Sequence, residues 1–166
     1  MDIKINTTDK HFKFRVCGIL EHNGKYLTVR IQDNEFLCLP GGHVEIGENT
    51  DQAICREIEE ELGFPVKIKR LMAIAQNFFK AEDGSWHEFS YYYLVEAKNP
   101  EDVNENDYVR IENDKGEMKK LEFKWLTKSE FSTLDFRPDF VSKLLSLDKT
   151  VHIINYDADG CEIKEF

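Results

Sequence analysis

The segment LPGGHVEIGENTDQAICREIEEELGFP, residues 39–65, constrains the fold more than any other part of the chain. Its second half places apolar residues at every fourth position, at Ile54, Ile58 and Leu62, which predicts an amphipathic helix over Thr50–Leu62. The flanking residues are suited to the two ends of such a helix, with Asn49 or Thr50 at its start and Gly63 followed by Pro65 as the stop.

Three carboxylates share one edge of the predicted helix. At about 100° per residue, with Glu57 set at 0° around the helix axis, Glu60 lies at about −60° and Glu61 at about +40°. Glu59 lies at about 200°, away from the other three carboxylates, and is expected to face solvent. Like charges at this spacing repel one another, and a divalent cation with a preference for hard oxygen ligands, Mg²⁺ or Mn²⁺, compensates for that repulsion. The three carboxylates alone leave the alternative of a solvated acidic face open.

The residues around the helix narrow that choice. From Gly42 to Phe64 the chain matches G-x5-E-x7-R-E-U-x-E-E-x-G-U, where U is a bulky aliphatic or aromatic residue. At average residue frequencies, such a set of fixed identities matches by chance in roughly one window in 10⁸. The segment resembles the box of the Nudix hydrolase family, with every fixed position present. The resemblance implies an α/β (α+β) fold with a mixed β-sheet sandwiched between helices. It also implies divalent-metal-dependent hydrolysis of a nucleoside diphosphate linked to another group.

The same resemblance implies a set of metal ligands. Glu57, Glu60 and Glu61 match the metal-binding carboxylates of the family. A backbone carbonyl of Gly41 or Gly42 is similar to a further ligand there. We therefore expect Mg²⁺ or Mn²⁺ as the cofactor of this chain.

Further catalytic roles follow from the family as well. Glu48 and Arg56 match a charge pair that shapes the loop–helix–loop, with Arg56 orienting the acidic cluster. Hydrolysis also needs a carboxylate that accepts the proton of the attacking water. In the family this base comes from the box or from a later loop. Glu60 is the candidate within the box, and Glu117 and Glu122 are the candidates outside it.

Three side chains outside the box are candidates for substrate contacts. Arg30, at the end of a predicted strand, either touches a phosphate or faces solvent. Phe78 and Phe79 either stack on a nucleobase or pack into the core, as does Trp86 nearby.

Strands surround the helix in the pattern of the remaining sequence. Alternation and turn residues predict strands over 12–20, 25–31, 35–39, 66–79, 86–97 and 121–126, and a terminal hairpin over 150–163 with a turn at Asp157–Gly160. Residues 99–116 are polar and acidic and are predicted as a surface loop, and residues 127–145 as helical with a break near Pro138.

Composition and length indicate the number of domains, the expected partners and the location of the protein. The chain has 166 residues, which predicts a single domain over 1–166. Its 32 acidic and 22 basic residues give a formal net charge of −10, so nucleic acid and membrane surfaces are not expected as partners. Four cysteines without a C-x-x-C pair, together with no apolar leader or membrane-length run, predict a cytoplasmic protein. A small-molecule nucleotide is the expected partner, bound by a monomer or a homodimer.

The substrate that these observations favour is a (deoxy)nucleoside triphosphate. Subfamilies that resemble ADP-ribose hydrolases carry a proline beyond the box near the position of Phe78, and dinucleoside-polyphosphate types carry a tyrosine slightly later, where Phe79 and Lys80 occur. Both of those hydrolase activities stay open as alternatives. So does a module of the same fold that senses nucleotides without hydrolysing them.

Overall fold

The computed structural model describes residues 1–32, 34–114, 116–157 and 159–166. The strands are β1 (Lys4–Asn6), β2 (Lys10–His22), β3 (Lys25–Ile31), β4 (Gly41–His43), β5 (Val66–Ala81), β6 (Gly84–Ala97), β7 (Tyr108–Asp114), β8 (Glu117–Thr127), β9 (Val151–Tyr156) and β10 (Gly160–Glu165). The helices are α1 (Thr50–Leu62) and the single turn α2 (Val141–Leu144), with short 3-10 turns at Pro100–Asp102 and Glu130–Ser132.

The strands form one mixed sheet in the order β10-β9-β5-β6-β2-β3-β8-β7, with β1 and β4 paired to β2. The β2–β6 and β5–β9 pairs are parallel, whereas the others are antiparallel. Helix α1 packs on one face, and the segment that contains α2 packs on the other. The predicted fold class, a mixed sheet sandwiched between helices, is confirmed.

The apolar stripe of α1 explains how the helix is placed on the sheet. Ile54 and Ile58 are fully buried against Val16 and Leu20 of β2. Gly18 lies directly beneath Ile58, and a Cβ at this glycine would come within 2.8 Å of the isoleucine Cδ1. Each buried side chain of this size contributes roughly 1.5–3 kcal/mol, so this contact anchors the acidic edge of α1 relative to β2 and β4.

Two predicted elements differ from the structure for a shared reason. The predicted strand 35–39 contributes only isolated bridges, and the predicted helix 127–145 is regular only at α2. Leu37 pairs with Phe136 instead, its N–H donating to the carbonyl of Asp135 and its carbonyl accepting from the N–H of Arg137. Buried aromatic side chains hold this irregular segment on the sheet, and long-range backbone hydrogen bonds replace those of a helix.

The predicted loop 99–116 was also wrong over its second half, which forms strand β7. Tyr108 to Asp114 pair with β8 in antiparallel register, and β8 begins at Glu117, earlier than predicted. The predicted helix 50–62, the hairpins and the two long central strands are confirmed. The predicted turn at Asp157–Gly160 includes Ala158, which lies outside the described residues. No helix in the described ranges has the length and apolar character of a membrane span.

Candidate active site

Local sequence fixes both ends of α1. Asn49 accepts a hydrogen bond from the backbone N–H of Gln52 at 2.9 Å, and the Gln52 side chain accepts one from the backbone N–H of Asn49 at 3.1 Å. Gly63 ends the helix at a φ of 83°, and its N–H donates to the carbonyl of Glu59. The guanidinium of Arg110 lies where a side chain at position 63 would project. Glycine is therefore required there both by its conformation and by the close approach of Arg110.

Arg56 joins the preceding loop to the acidic edge of α1. Its Nη2 and Nε donate to the two carboxylate oxygens of Glu48 at 2.6 and 3.2 Å, and Nη2 also donates to the carbonyl of His43 at 3.0 Å. Its Nη1 donates to Glu57 Oε1 at 2.8 Å and to Glu60 Oε2 at 3.3 Å. The hydrogen bond from Arg56 lowers the pKa of Glu48, which keeps that carboxylate ionised. One guanidinium thus orients three carboxylates.

The other box carboxylates are held against the loop. Glu61 is buried, and its Oε2 accepts a hydrogen bond from the N–H of Gly41 at 2.9 Å. Burial, followed by the charge of Glu112, raises the pKa of Glu61 well above its ordinary value. Burial also raises the pKa of Glu57, whose carboxylate occupies the space that a side chain at Gly42 would need. Buried carboxylates of this kind are stabilised in their charged form by a cation placed between them.

The glutamates of α1 separate into a group at the cleft and one residue outside it, as the helical spacing predicts. Glu57, Glu60 and Glu61 all line one cleft of about 690 Å³. Glu59 is exposed and is not among the residues that line this cleft.

The donor set suits a divalent cation by its chemistry. Within the described ranges, no three His, Cys, Asp or Glu side chains are already arranged as a ligand cluster. Arg56 Nη1 instead lies between Glu57 and Glu60, and the Gly41 N–H holds Glu61. The carboxylates of the three box glutamates and the carbonyl of Gly41 are hard oxygen donors, the type that Mg²⁺ and Mn²⁺ prefer. The residues therefore fit the metal that the sequence predicts.

A fourth carboxylate reaches the cleft from β7. Glu112 lines the cleft and lies close enough to Glu61 to raise its pKa. In the β7–β8 register Glu112 is opposite Lys119, and Arg110 is opposite Leu121, so these four residues share the inward face of the two strands. Sequence analysis missed Glu112 because residues 99–116 read as a loop. The available pattern was the alternation of apolar and charged residues from position 108 onwards.

A profile of the NUDIX domain matches residues 9–145. The chain belongs to the Nudix hydrolase family. A relative from Methanocaldococcus jannaschii, described as an ADP-ribose pyrophosphatase, is 31% identical over 120 residues, which is 68% of this chain and 70% of that protein. The family and its relatives identify the chain as a pyrophosphohydrolase, and Nudix hydrolases generally use divalent metals and act on small nucleotide substrates.

Two further comparisons cover different parts of the molecule. The nucleoside triphosphatase NudI of Salmonella arizonae is 42% identical over 53 residues, which is 29% of this chain and 38% of that protein. The mutator MutT protein from Bacillus halodurans superposes with a TM-score of 0.59 at 16% identity, over 91% of this chain and 97% of that one. The second similarity shows that the Nudix fold extends over nearly the whole chain.

The two base candidates outside the Nudix box lie away from the cleft. Glu122 pairs with Lys120 and lies 4.0 Å from Arg30, on the outward face of β8. It lines, with Arg30, a separate pocket of about 300 Å³ that contains no box residue. Glu117 is exposed where β8 begins, and it lines neither pocket. The structure does not bring Arg30, Glu117 or Glu122 together with the Nudix box.

The two predicted aromatic contacts lie on opposite faces of β5. Phe78 stacks on His87 at 4.4 Å and on Tyr156 at 5.1 Å between ring centroids. Phe79 lies parallel to Trp86 at 6.0 Å. The Nζ of Lys13, a residue that lines the cleft, lies 5.3 Å from the Phe79 ring. Phe79 is therefore the member of the pair on the side of the Nudix site.

Proposed function

We propose that this chain is a Mg²⁺- or Mn²⁺-dependent Nudix pyrophosphohydrolase that cleaves a nucleoside diphosphate linked to another group. The observation that carries the proposal is the Arg56 network, which gathers Glu48, Glu57 and Glu60 in the loop–helix–loop beside Glu61.

Glu57, Glu60 and Glu61 would hold the metal, with the carbonyl of Gly41 as a further ligand. A metal bound there would supply neutralisation of phosphate charge and a lower pKa for the attacking water. Arg56 holds the carboxylates of Glu57 and Glu60 in place through hydrogen bonds from Nη1. Glu48 in turn holds Arg56 through two hydrogen bonds.

A carboxylate must take the proton of the attacking water. Glu60 is the candidate from the box, with a side chain that is 53% exposed at the cleft. Glu112 is the candidate from β7, because it lines the same cleft from a different element. The geometry supports these two over Glu117 and Glu122, which line other surfaces.

The substrate proposed first is a (deoxy)nucleoside triphosphate, which yields a nucleoside monophosphate and pyrophosphate. The NudI relative supports this class, as does Phe78 near the position where ADP-ribose hydrolases carry a proline. ADP-ribose is the second candidate, because the Methanocaldococcus relative covers the larger share of the chain. A dinucleoside polyphosphate is the remaining hydrolase alternative.

One experiment separates the substrate classes. Purified protein with Mg²⁺ is incubated with deoxy- and ribonucleoside triphosphates, ADP-ribose and diadenosine polyphosphates, and the products are separated by chromatography over time. A nucleoside monophosphate from one of them supports hydrolysis and names the class. Binding of a nucleotide without any product supports the sensing module instead.

Residues 1–166 form a single Nudix domain, since β1 and β9, which lie outside the matched range 9–145, pair with β2 and β5 of the same sheet. The four cysteines are free thiols, which supports a reducing, cytoplasmic setting. A monomer or homodimer that binds neither nucleic acid nor membrane stays a prediction from composition.

A further inference from the structure

A pair of cations on β2 faces a buried carboxylate on β6. Lys13 lies opposite Glu88 in the parallel register of these strands, and Arg15 lies opposite Ser90, so the four side chains share one face of the sheet. Nζ of Lys13 lies 2.8 Å from Oε2 of Glu88, and Nη1 of Arg15 lies 3.8 Å from the same oxygen. Ser90 donates a hydrogen bond to the other oxygen at 2.9 Å. With a side chain only 5% exposed, Glu88 anchors both cations.

This cluster carries more positive charge than its carboxylate neutralises. A buried carboxylate requires a cationic partner, and Lys13, at hydrogen-bond distance, is the nearer of the two to Glu88. Arg15 adds a second, and its buried Nε has no hydrogen-bond partner within the described ranges. Both cationic side chains are 19% exposed and both line the cleft. The excess positive charge therefore faces the space in which the substrate is expected.

The cationic pair of Lys13 and Arg15 lies next to the carboxylates of the Nudix box. Nη2 of Arg15 donates to the carbonyl oxygen of Gly41 at 3.1 Å, and the N–H of Gly41 donates to Glu61 at 2.9 Å. A single residue thus separates the cationic pair from a box carboxylate. Adjacent phosphoryl groups of a diphosphate are joined by one oxygen atom, so a ligand with one phosphoryl group at the carboxylates places the next near this pair.

We propose that Lys13 and Arg15 form a phosphoryl-binding subsite for the group adjacent to the one held at the Nudix box carboxylates. The inference rests on the proposed function and specifies how its substrate lies in the cleft. The ammonium and guanidinium groups donate charge-assisted hydrogen bonds to phosphoryl oxygens. Glu88 is a positioning residue, because it touches both cations and does not line the cleft itself.

Steady-state kinetics with Mg²⁺ and the best substrate test the subsite. Lys13→Met is expected to raise KM about tenfold, the loss of one hydrogen bond to a charged group, with a smaller change in kcat. Lys13→Arg keeps the cation and is expected to restore most of the affinity. Lys67→Met, which removes an exposed lysine of β5 outside the cleft, is the matched control and is expected to leave KM unchanged.

The Glu88→Gln background separates ligand binding from simple charge compensation. If Lys13 only neutralises Glu88, Lys13→Met becomes harmless once the buried charge is gone. If Lys13 binds a phosphoryl group, the variant raises KM by a similar factor in both backgrounds. The first result overturns the proposal, and the second supports it.

Binding of inorganic pyrophosphate, measured by calorimetry with EDTA present, tests the subsite without turnover. The wild type is expected to bind pyrophosphate about tenfold more tightly than Lys13→Met and as tightly as Lys67→Met. Equal affinity of wild type and Lys13→Met, or no binding by the wild type, overturns the subsite even if nucleotides are hydrolysed. Lys13-dependent binding in a protein that hydrolyses no nucleotide supports the subsite while the proposed function fails.

Discussion

The N–H of Gly41 donates a hydrogen bond to Oε2 of Glu61 across 2.9 Å, which joins strand β4, at the start of the Nudix box, to the last turn of its helix. The contact places a buried carboxylate at the junction of β4 and α1. The carbonyl of the same glycine accepts from Arg15. One residue thus connects the carboxylate wall of the cleft with the cationic wall.

The first prediction concerns Gly42. A methyl group at this position would overlap the carboxylate of Glu57, so Gly42→Ala is expected to displace that ligand. We expect a loss of about 10- to 100-fold in activity or metal affinity, the range seen when the support of a ligand is removed. Lys67→Ala, at an exposed position of β5 outside the cleft, is the control. Comparable Mg²⁺ titrations of Gly42→Ala and wild type would show that Glu57 is not held as described.

The second prediction separates the base candidates. Glu112→Gln is expected to lower kcat by about 10²-fold or more if this carboxylate takes the proton, with KM little changed. Glu122→Gln and Glu117→Gln lie away from the cleft and are expected to keep wild-type kcat. Unchanged kcat in Glu112→Gln would leave Glu60, the box candidate, as the base. A large loss confined to Glu122→Gln would contradict the placement of the base at this cleft.

The third prediction concerns the aromatic residues of β5. If the nucleobase extends past Lys13 towards β5, it reaches the ring of Phe79. Phe79→Ala is then expected to raise KM for a nucleotide about tenfold, which is the loss in affinity when one base no longer stacks on an aromatic ring. Phe78→Ala, on the opposite face of the strand, is the matched control and is expected to change stability more than KM. Equal KM values for the two variants would place the base elsewhere.

The sequence predicted the elements of this fold that are specified by residues within a single segment. Helix α1 was predicted correctly because its caps, Asn49 and Gly63, and its apolar stripe lie within one segment. Strand β7 was missed because its inward residues, Arg110 and Glu112, are charged and are placed by pairing with β8 and by the cleft. The local signal was the alternation of apolar and charged residues from position 108 onwards, which is equally typical of a polar surface segment.

Within the candidate site, too, the residues of one continuous segment were predicted and those from distant strands were not. The contacts of Arg56 with Glu48, Glu57 and Glu60 lie within one loop–helix–loop, and the Nudix resemblance predicted these residues together. Lys13 and Arg15 precede the box by many residues and reach the cleft only through the β2–β4 and β2–β6 pairings. Their sequence context, basic residues alternating along a strand, equally suits a solvated face.

The fourth prediction concerns stability at low pH. Burial raises the pKa of Glu88, but the charges of Lys13 and Arg15, with the hydrogen bonds from Lys13 and Ser90, outweigh burial and hold the pKa below its ordinary value of 4.5. Cys17 and Tyr92 nearby have raised pKa values and stay neutral in this range. Glu88 therefore contributes stability above about pH 4.5, and the contribution is lost as pH falls through the folded-state pKa.

Urea unfolding of wild type and Glu88→Gln as a function of pH measures that contribution. The difference in the free energy of unfolding is expected to be constant near neutral pH and to change in favour of the variant below about pH 4.5. Changes common to both proteins report the other carboxylates and cancel in the difference. A difference independent of pH down to pH 3 would contradict the charged state of Glu88.

The fifth and most direct measurement is the Mg²⁺ dependence of hydrolysis in three variants of the acidic edge. Chromatography of products against Mg²⁺ concentration is expected to show strong loss of turnover in Glu57→Gln and Glu61→Gln, with the fold retained by circular dichroism. Glu59→Gln, exposed and outside the cleft, is expected to match wild type, and Mg²⁺ is expected to raise the melting temperature of wild type but less that of the two ligand variants. Equal turnover in all three variants, or no effect of Mg²⁺ on wild-type activity or melting, would contradict a metal-dependent hydrolase built on this edge.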